Sequence, residues 1–224
     1  MRRTIQSLER PDTALVEGFR GLLSQYSPSC IVSDAMERAR TLASAIRPVV
    51  GGRFAGPALT VKLYPGDLVD VFDLLHVAEP GDVVVIDAAG ETETSVWGGL
   101  MTGLCRKRGI VGAVVDGAIR DVDEIRDLGF PIFSRAVVPR STHSAYSKRL
   151  EPIEVNVTIT CGGALVAPGD IVLADEIGVV AVPQDDAATV LAAAQEQAER
   201  EDTTRRLIGE GKTVEELLAE FGRL

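Results

Sequence analysis

The stretch VVDGAIRDVDEI, residues 114–125, changes its period halfway along. Val114 and Val115 belong to the apolar run GAVVD, the composition of a buried strand, whereas Asp121 to Glu124 reads as a helix start. Arg120 and Asp121 therefore stand side by side where the chain leaves a sheet. A strand that hands over to a helix implies an α/β layer arrangement, and the flanking segments repeat the pattern.

Upstream, PGDVVVIDAAG (80–90) is a Pro-Gly-Asp turn followed by a short buried strand. Gly98-Gly99 then open a helix over about 98–108, with Arg106, Lys107 and Arg108 near the end that the macrodipole prefers for cations. Downstream, PIFSRAVV is a strand. Toward the N-terminus, DTALVEGFRGLLSQ (12–25) sets Leu15, Phe19, Leu22 and Leu23 on one helical face behind Asp12 as cap. A short second helix is expected from Asp34, with Asp34 and Glu37 as its capping box. LTVKLY reads as extended chain and LVDVFDLLHVAE (68–79) as a helix.

PGDVVVIDAAG is echoed by PGDIVLADEIG from Pro168, where ADEIG followed by VVAVP reads as a hairpin turn, so the sheet is expected to be mixed. After Pro183 the chain becomes rich in Ala, Glu and Arg: one long helix to about 208, then a last helix capped by Thr213 and Glu216. Residues 1–184 are expected to form one α/β domain, and 185–224 a helical arm packed on it or on a neighbouring subunit.

Acidic residues outnumber basic ones, 33 against 23, so no basic field exists to hold nucleic acid or an anionic membrane. No apolar run approaches a membrane span, and the arginines at positions 2 and 3 are not followed by a signal-like apolar region; a cytoplasmic location is expected. Cys30, Cys105 and Cys161 lie far apart in apolar contexts and read as buried free thiols.

A net-acidic protein can still hold a small anion where an arginine and backbone amides reverse the local field. The Gly98-Gly99 helix start offers such amides, and the turn at Arg120-Asp121 follows the next strand, so a β-α-β-like unit brings both to one sheet edge. A 2-oxo acid suits the pair: Arg120 presents a planar fork, the amides from Gly98 to Met101 bind the rest, and a hard divalent cation on Asp121 polarises the carbonyl. Asp121 as a simple N-cap accounts for the same residue without a metal.

GGRFAGPALTVK, PGDVVVID, the Gly98-Gly99 helix, GAVVDGAIRD and PGDIVLADEIGVVAVP, in that order over about residues 29–185, closely resemble one family. It is the family of the 4-hydroxy-4-methyl-2-oxoglutarate/4-carboxy-4-hydroxy-2-oxoadipate aldolases and the regulators of ribonuclease E activity, whose members are often labelled dimethylmenaquinone methyltransferases. The resemblance implies a swivelling β/β/α-type fold with a C-terminal helical extension, assembly as homotrimers or homohexamers, and active sites between subunits. It implies Asp121 as ligand of Mg2+ or Mn2+, Arg120 as contact to substrate oxygens, and the Leu100 and Met101 amides as the pyruvate cradle. The implied reactions are retro-aldol cleavage to pyruvate and oxaloacetate decarboxylation, both through a pyruvate enolate. The alternative within the family is a non-catalytic regulator of ribonuclease activity.

The regulators tend to lack the acid after the arginine, which Asp121 supplies here. The aldolases place a further acid twenty-one residues before the arginine, where this chain has Gly99. They also draw a glutamate from a neighbour's C-terminal region, for which Glu201 is the choice and Glu199 the second. His76 and His143 have no partner at metal-ligand spacing, Asp87 and Asp175 are explained by turn geometry, and Trp97 reads as core with the option of walling a pocket. Arg135 and Arg140 bracket a strand end and read first as interface ion pairs.

Overall fold

The run Val83 to Ile86 is buried throughout because both faces of its strand are covered: Val84 and Ile86 enter one core, Val83 and Val85 another. The computed structural model describes residues 4–64, 71–142 and 153–222. In chain order these form β1 (Thr4–Ile5), α1 (Thr13–Leu22), α2 (Pro28–Ala35), β2 (Arg47–Val50), β3 (Phe54–Lys62), a 3-10 turn (Phe72–His76) and β4 (Val83–Trp97). Then come α3 (Gly99–Lys107), β5 (Gly112–Ile119), α4 (Val122–Asp127), β6 (Ile132–Val137), β7 (Glu154–Val155), β8 (Ile159–Cys161) and β9 (Ala164–Val166). β10 (Ile171–Ala174), β11 (Val179–Val182), a second 3-10 turn (Gln184–Asp186), α5 (Ala187–Gly209) and α6 (Val214–Phe221) complete the described chain.

Strands β3, β4, β5 and β6 pair in parallel, and β2 and β7 add to the outer strands in the antiparallel sense. β3 serves two partners. Its residues Phe54 to Pro57 pair with β10, and Ala58 to Lys62 pair with β4, so the β10–β11 hairpin swings off the parallel sheet. Three stacked cores follow from this. One lies between the parallel sheet and α3, α4 and the first 3-10 turn; a second lies between the sheet and β8 to β11. The third lies between the outer face of the hairpin and α1, α2 and α5. Alternation along β10 divides Ile171 and Leu173, facing the helices, from Val172 and Ala174, facing the sheet. The result is the expected swivelling β/β/α arrangement with a mixed sheet and a C-terminal helical extension.

The echoed PGD segments share their local chemistry. Asp82 accepts from the Glu79 amide and pairs with Arg10; Asp170 accepts from the Ala167 amide and pairs with Arg40. Asp87 and Asp175 each accept from the amide two residues on. Yet β4 is parallel to its neighbours and β10 antiparallel, so the echo is a reused turn in two different topological settings.

α1, α5 and α6 form where the spacing predicts, with Asp12 accepting from the Ala14 amide and Thr213 and Glu216 closing a reciprocal capping box. The second helix does not start at Asp34. It spans Pro28–Ala35, with proline in its first turn, and its start is satisfied from far away: Asp175 accepts from the amide and the hydroxyl of Ser29, at 2.9 and 2.8 Å. The Asp34–Glu37 pattern instead falls where the helix ends, and Glu37, Arg38 and Arg40 leave it in the left-handed region, at φ 52, 70 and 53°. Of the helix expected over 68–79, residues 68–70 lie outside the described residues, and the helical part of the remainder is only the 3-10 turn. Among the described residues no helix is long and apolar enough to cross a membrane.

Two of the three thiols are buried as expected, but Cys30 is exposed. Burial pushes the Cys105 thiol up to about 12 and that of Cys161 well above its ordinary value. Titration of the native protein with a thiol reagent at pH 8 should therefore modify Cys30 alone, the other two reacting only in denaturant. Asp175 is fully buried and accepts four hydrogen bonds, from Ser29, Ile177 and Gly178. Asp175→Ala strands those donors and should lower stability by about 3 kcal/mol or more, read as a drop in the urea midpoint.

Candidate functional site

The last register pair of β4 and β5 is Trp97 with Ile119, and the Arg120 amide donates to the Trp97 carbonyl at 2.9 Å. Both chains thus leave the sheet together, one into Gly98-Gly99 and α3, the other into Arg120-Asp121 and α4. Between them lies a pocket of about 220 Å³. Gly98, Leu100, Met101, Arg120 and Asp121 line it, with Trp97 as a wall. Phe72 and Val71 close an apolar side; Ser95, Ser141 and Thr142 bring hydroxyls, held there by a bridge between Ser95 and Ser141.

Asp121 occupies the N-cap position of α4, but its side chain makes no capping bond. Its backbone is left-handed, φ 55 and ψ 43°, a conformation that costs a non-glycine residue about 1 kcal/mol and concentrates at functional sites. The carboxylate turns to the pocket instead: Oδ2 accepts from the Gly99 amide at 3.1 Å and lies 3.5 Å from Arg120 Nε. The reading of Asp121 as a simple cap is therefore set aside. Arg120 and Asp121 are about 40% exposed at their side chains, open enough to meet a ligand.

The glycine pair lets two carboxylates come close to the start of α3. A Cβ on Gly98 would sit 2.5 Å from Asp121 Oδ2, and a Cβ on Gly99 would fall on the carboxylate of Glu124. Glu124 was not singled out by the sequence reading. It stands one turn after Asp121, in the first turn of α4, and reaches back over the position where the aldolase pattern has an acid and this chain has none. The Arg-Asp-x-x-Glu spacing carried that signal, since residues three apart share a helix face.

The amides of Leu100 and Met101 lie in the first turn of α3, ahead of any carbonyl the helix offers them. Leu100 is largely exposed and Met101 is buried. Glu201 is elsewhere: on α5 it accepts from Gln197 and pairs with Arg205, lining a separate groove with Asp34, Arg38 and Glu196. Glu199 lies on the same helix. Arg135 is committed to Asp116 at 2.6 Å, whose second oxygen takes the Gly162 amide. The Arg140 carbonyl, rather than its side chain, serves the site by accepting from Ser95. His76 sits in the first 3-10 turn, and His143 lies outside the described residues.

A magnesium-type cation is commonly held by one or two carboxylates, with water and substrate completing its shell. Asp121, a hard oxygen donor that lines the pocket, fits one position of such a partial shell, and Glu124 packs against Gly99 next to it. No cluster of three or more His, Cys, Asp or Glu side chains is placed to hold a metal among the described residues.

The fold and pocket define the class, and comparison with known proteins agrees. The model of the RraA-like family, described as Aldolase/RraA, matches residues 29–181, and the chain belongs to that family. A Halalkalibacterium halodurans protein, provisionally named 4-hydroxy-4-methyl-2-oxoglutarate aldolase, is 36% identical over 82% of this chain and 85% of its own. Among solved structures, an uncharacterized Pseudomonas syringae protein matches with a TM-score of 0.78 at 27% identity, covering 93% of this chain and 98% of that one. Streptomyces coelicolor RraAS2, an unusual member of the RNase ES inhibitor RraA family, matches with a TM-score of 0.74 at 30% identity over 88% and 99% of the two chains.

Gly98→Ala drives a methyl group against the Asp121 carboxylate. It should break the bond between that carboxylate and the Gly99 amide and lower stability by about 1 kcal/mol, read in the urea midpoint with the circular dichroism spectrum unchanged.

Proposed function

We propose that the protein is a divalent-metal-dependent carbon–carbon lyase acting on 2-oxo acids, by retro-aldol cleavage of 4-hydroxy-4-methyl-2-oxoglutarate-like substrates, by oxaloacetate decarboxylation, or by both. The observation that carries this reading is the convergence of Arg120, the Asp121 carboxylate and the first turn of α3 on one pocket, with Glu124 packed against Gly99 beside it. In it, the Leu100 and Met101 amides take the substrate carboxylate and the Arg120 guanidinium takes the C2 oxygen side. Asp121 and Glu124 hold Mg2+ or Mn2+, which supplies positive charge where the enolate oxygen develops. Glu124 stands in for the acid absent at position 99, which answers the departure from the aldolase pattern. Glu201, remote from Asp121 within one chain, enters a site only from a second subunit, in a homotrimer or homohexamer.

A second reading, a binding protein without catalysis, is supported by the likeness to the RNase ES inhibitor family member. One assay separates the two. Pyruvate formation from oxaloacetate and from 4-hydroxy-4-methyl-2-oxoglutarate is followed with Mg2+, Mn2+ or EDTA, with the metal-only decarboxylation subtracted. The lyase reading expects activity that EDTA abolishes, that Asp121→Ala lacks, and that Glu124→Gln lowers by about 10- to 100-fold. Wild type no faster than Asp121→Ala on both compounds overturns it and leaves the binding role.

A further inference from the structure

The peptide between Gly98 and Gly99 presents the amide that holds Asp121, and it is flanked by two residues with no Cβ to restrain it. Left to itself such a plane can flip, carrying its N–H away from the carboxylate. In a trans peptide the N–H and C=O point in opposite directions, so fixing the carbonyl fixes the amide. The Gly98 carbonyl is fixed twice, by the backbone amide and by the hydroxyl of Thr102, each at 3.1 Å.

A helical threonine bonding the carbonyl four residues back is ordinary. What is not ordinary is the second bond at the same oxygen: Trp97 Nε1 reaches Thr102 Oγ1 at 2.8 Å, with Thr102 fully buried and Trp97 nearly so. An indole only donates and a carbonyl only accepts, so the hydroxyl proton is committed toward Gly98 and the chain runs one way, Trp97 to Thr102 to Gly98. Trp97 is itself fixed by stacking on Phe130, and its own carbonyl holds the Arg120 amide. Both halves of the pocket are thereby tied to one buried hydroxyl.

We infer that Thr102 is a positioning residue of the metal site, acting through the Gly98–Gly99 peptide to aim the Asp121 carboxylate. This rests on the metal-lyase reading. The test uses the full chain as wild type, Thr102→Val, Thr102→Ala, Thr102→Ser and Asp121→Ala, with Mn2+ affinity read by calorimetry. Melting temperature and the emission of Trp97, the single tryptophan, are followed alongside. Val and Ala should each weaken Mn2+ by about 10- to 100-fold and shift the Trp97 emission, whereas Ser restores both. A merely structural threonine would lower the melting temperature and leave the affinity of the folded protein intact. Thr102→Val, or Thr102→Ala should Val fail to fold, with wild-type Mn2+ affinity overturns the inference alone. Wild type binding Mn2+ no better than Asp121→Ala overturns the metal reading and the inference with it.

Discussion

The parallel pairing of β4 with β5 is the constraint on which the site depends. β4 has fifteen residues and β5 eight, and successive register shifts after Asp87 absorb the excess, so that Trp97 still ends opposite Ile119. Because the strands run the same way, their C-terminal ends share one edge, and the segments that follow must meet. Without the bulges the Gly98-Gly99 turn would leave the sheet at another level from Arg120, and no side chain could restore the encounter.

Close approach then dictates composition. The two glycines leave room for carboxylates from α4 where their Cβ atoms would be, so a larger residue at either position would push those side chains aside. Asp121 accepts an unfavourable left-handed backbone in the same cause, because the usual cap geometry would turn its oxygens onto its own helix. A site whose charged groups come from one turn of helix and whose amides come from another is rigid along each element. It is adjustable only at the junction, where the buried hydroxyl sits.

Much of this was legible in sequence because it is local. The Arg120-Asp121 exit, the glycine-opened helix, the hairpin after Pro168 and the terminal capping box each depend on residues within a few positions of one another. What escaped depends on distance. The start of α2 is satisfied by Asp175, so the Asp34–Glu37 pattern, a good local cap, lost to a partner that no window contains. Glu124 was hidden for the opposite reason: an acid in the first turn of a helix is explained by the macrodipole, and only its contact with Gly99, on another helix, gives it another role. The echoed PGD turns show the reverse hazard, since identical local chemistry serves strands of opposite sense.

The cap that Asp175 provides to α2 also has a meaning in time. Ser29 and Asp175 are separated by 146 residues, Arg40 and Asp170 by 130, and Asn156 reaches the Gln6 carbonyl across 150. Such high contact order belongs to slow folders. On the ribosome, α2 is made early with its first amides unanswered, and it waits for most of the chain before the residue that completes it is synthesised. The start of α2 is therefore among the first parts of the sequence to be translated and among the last to become native.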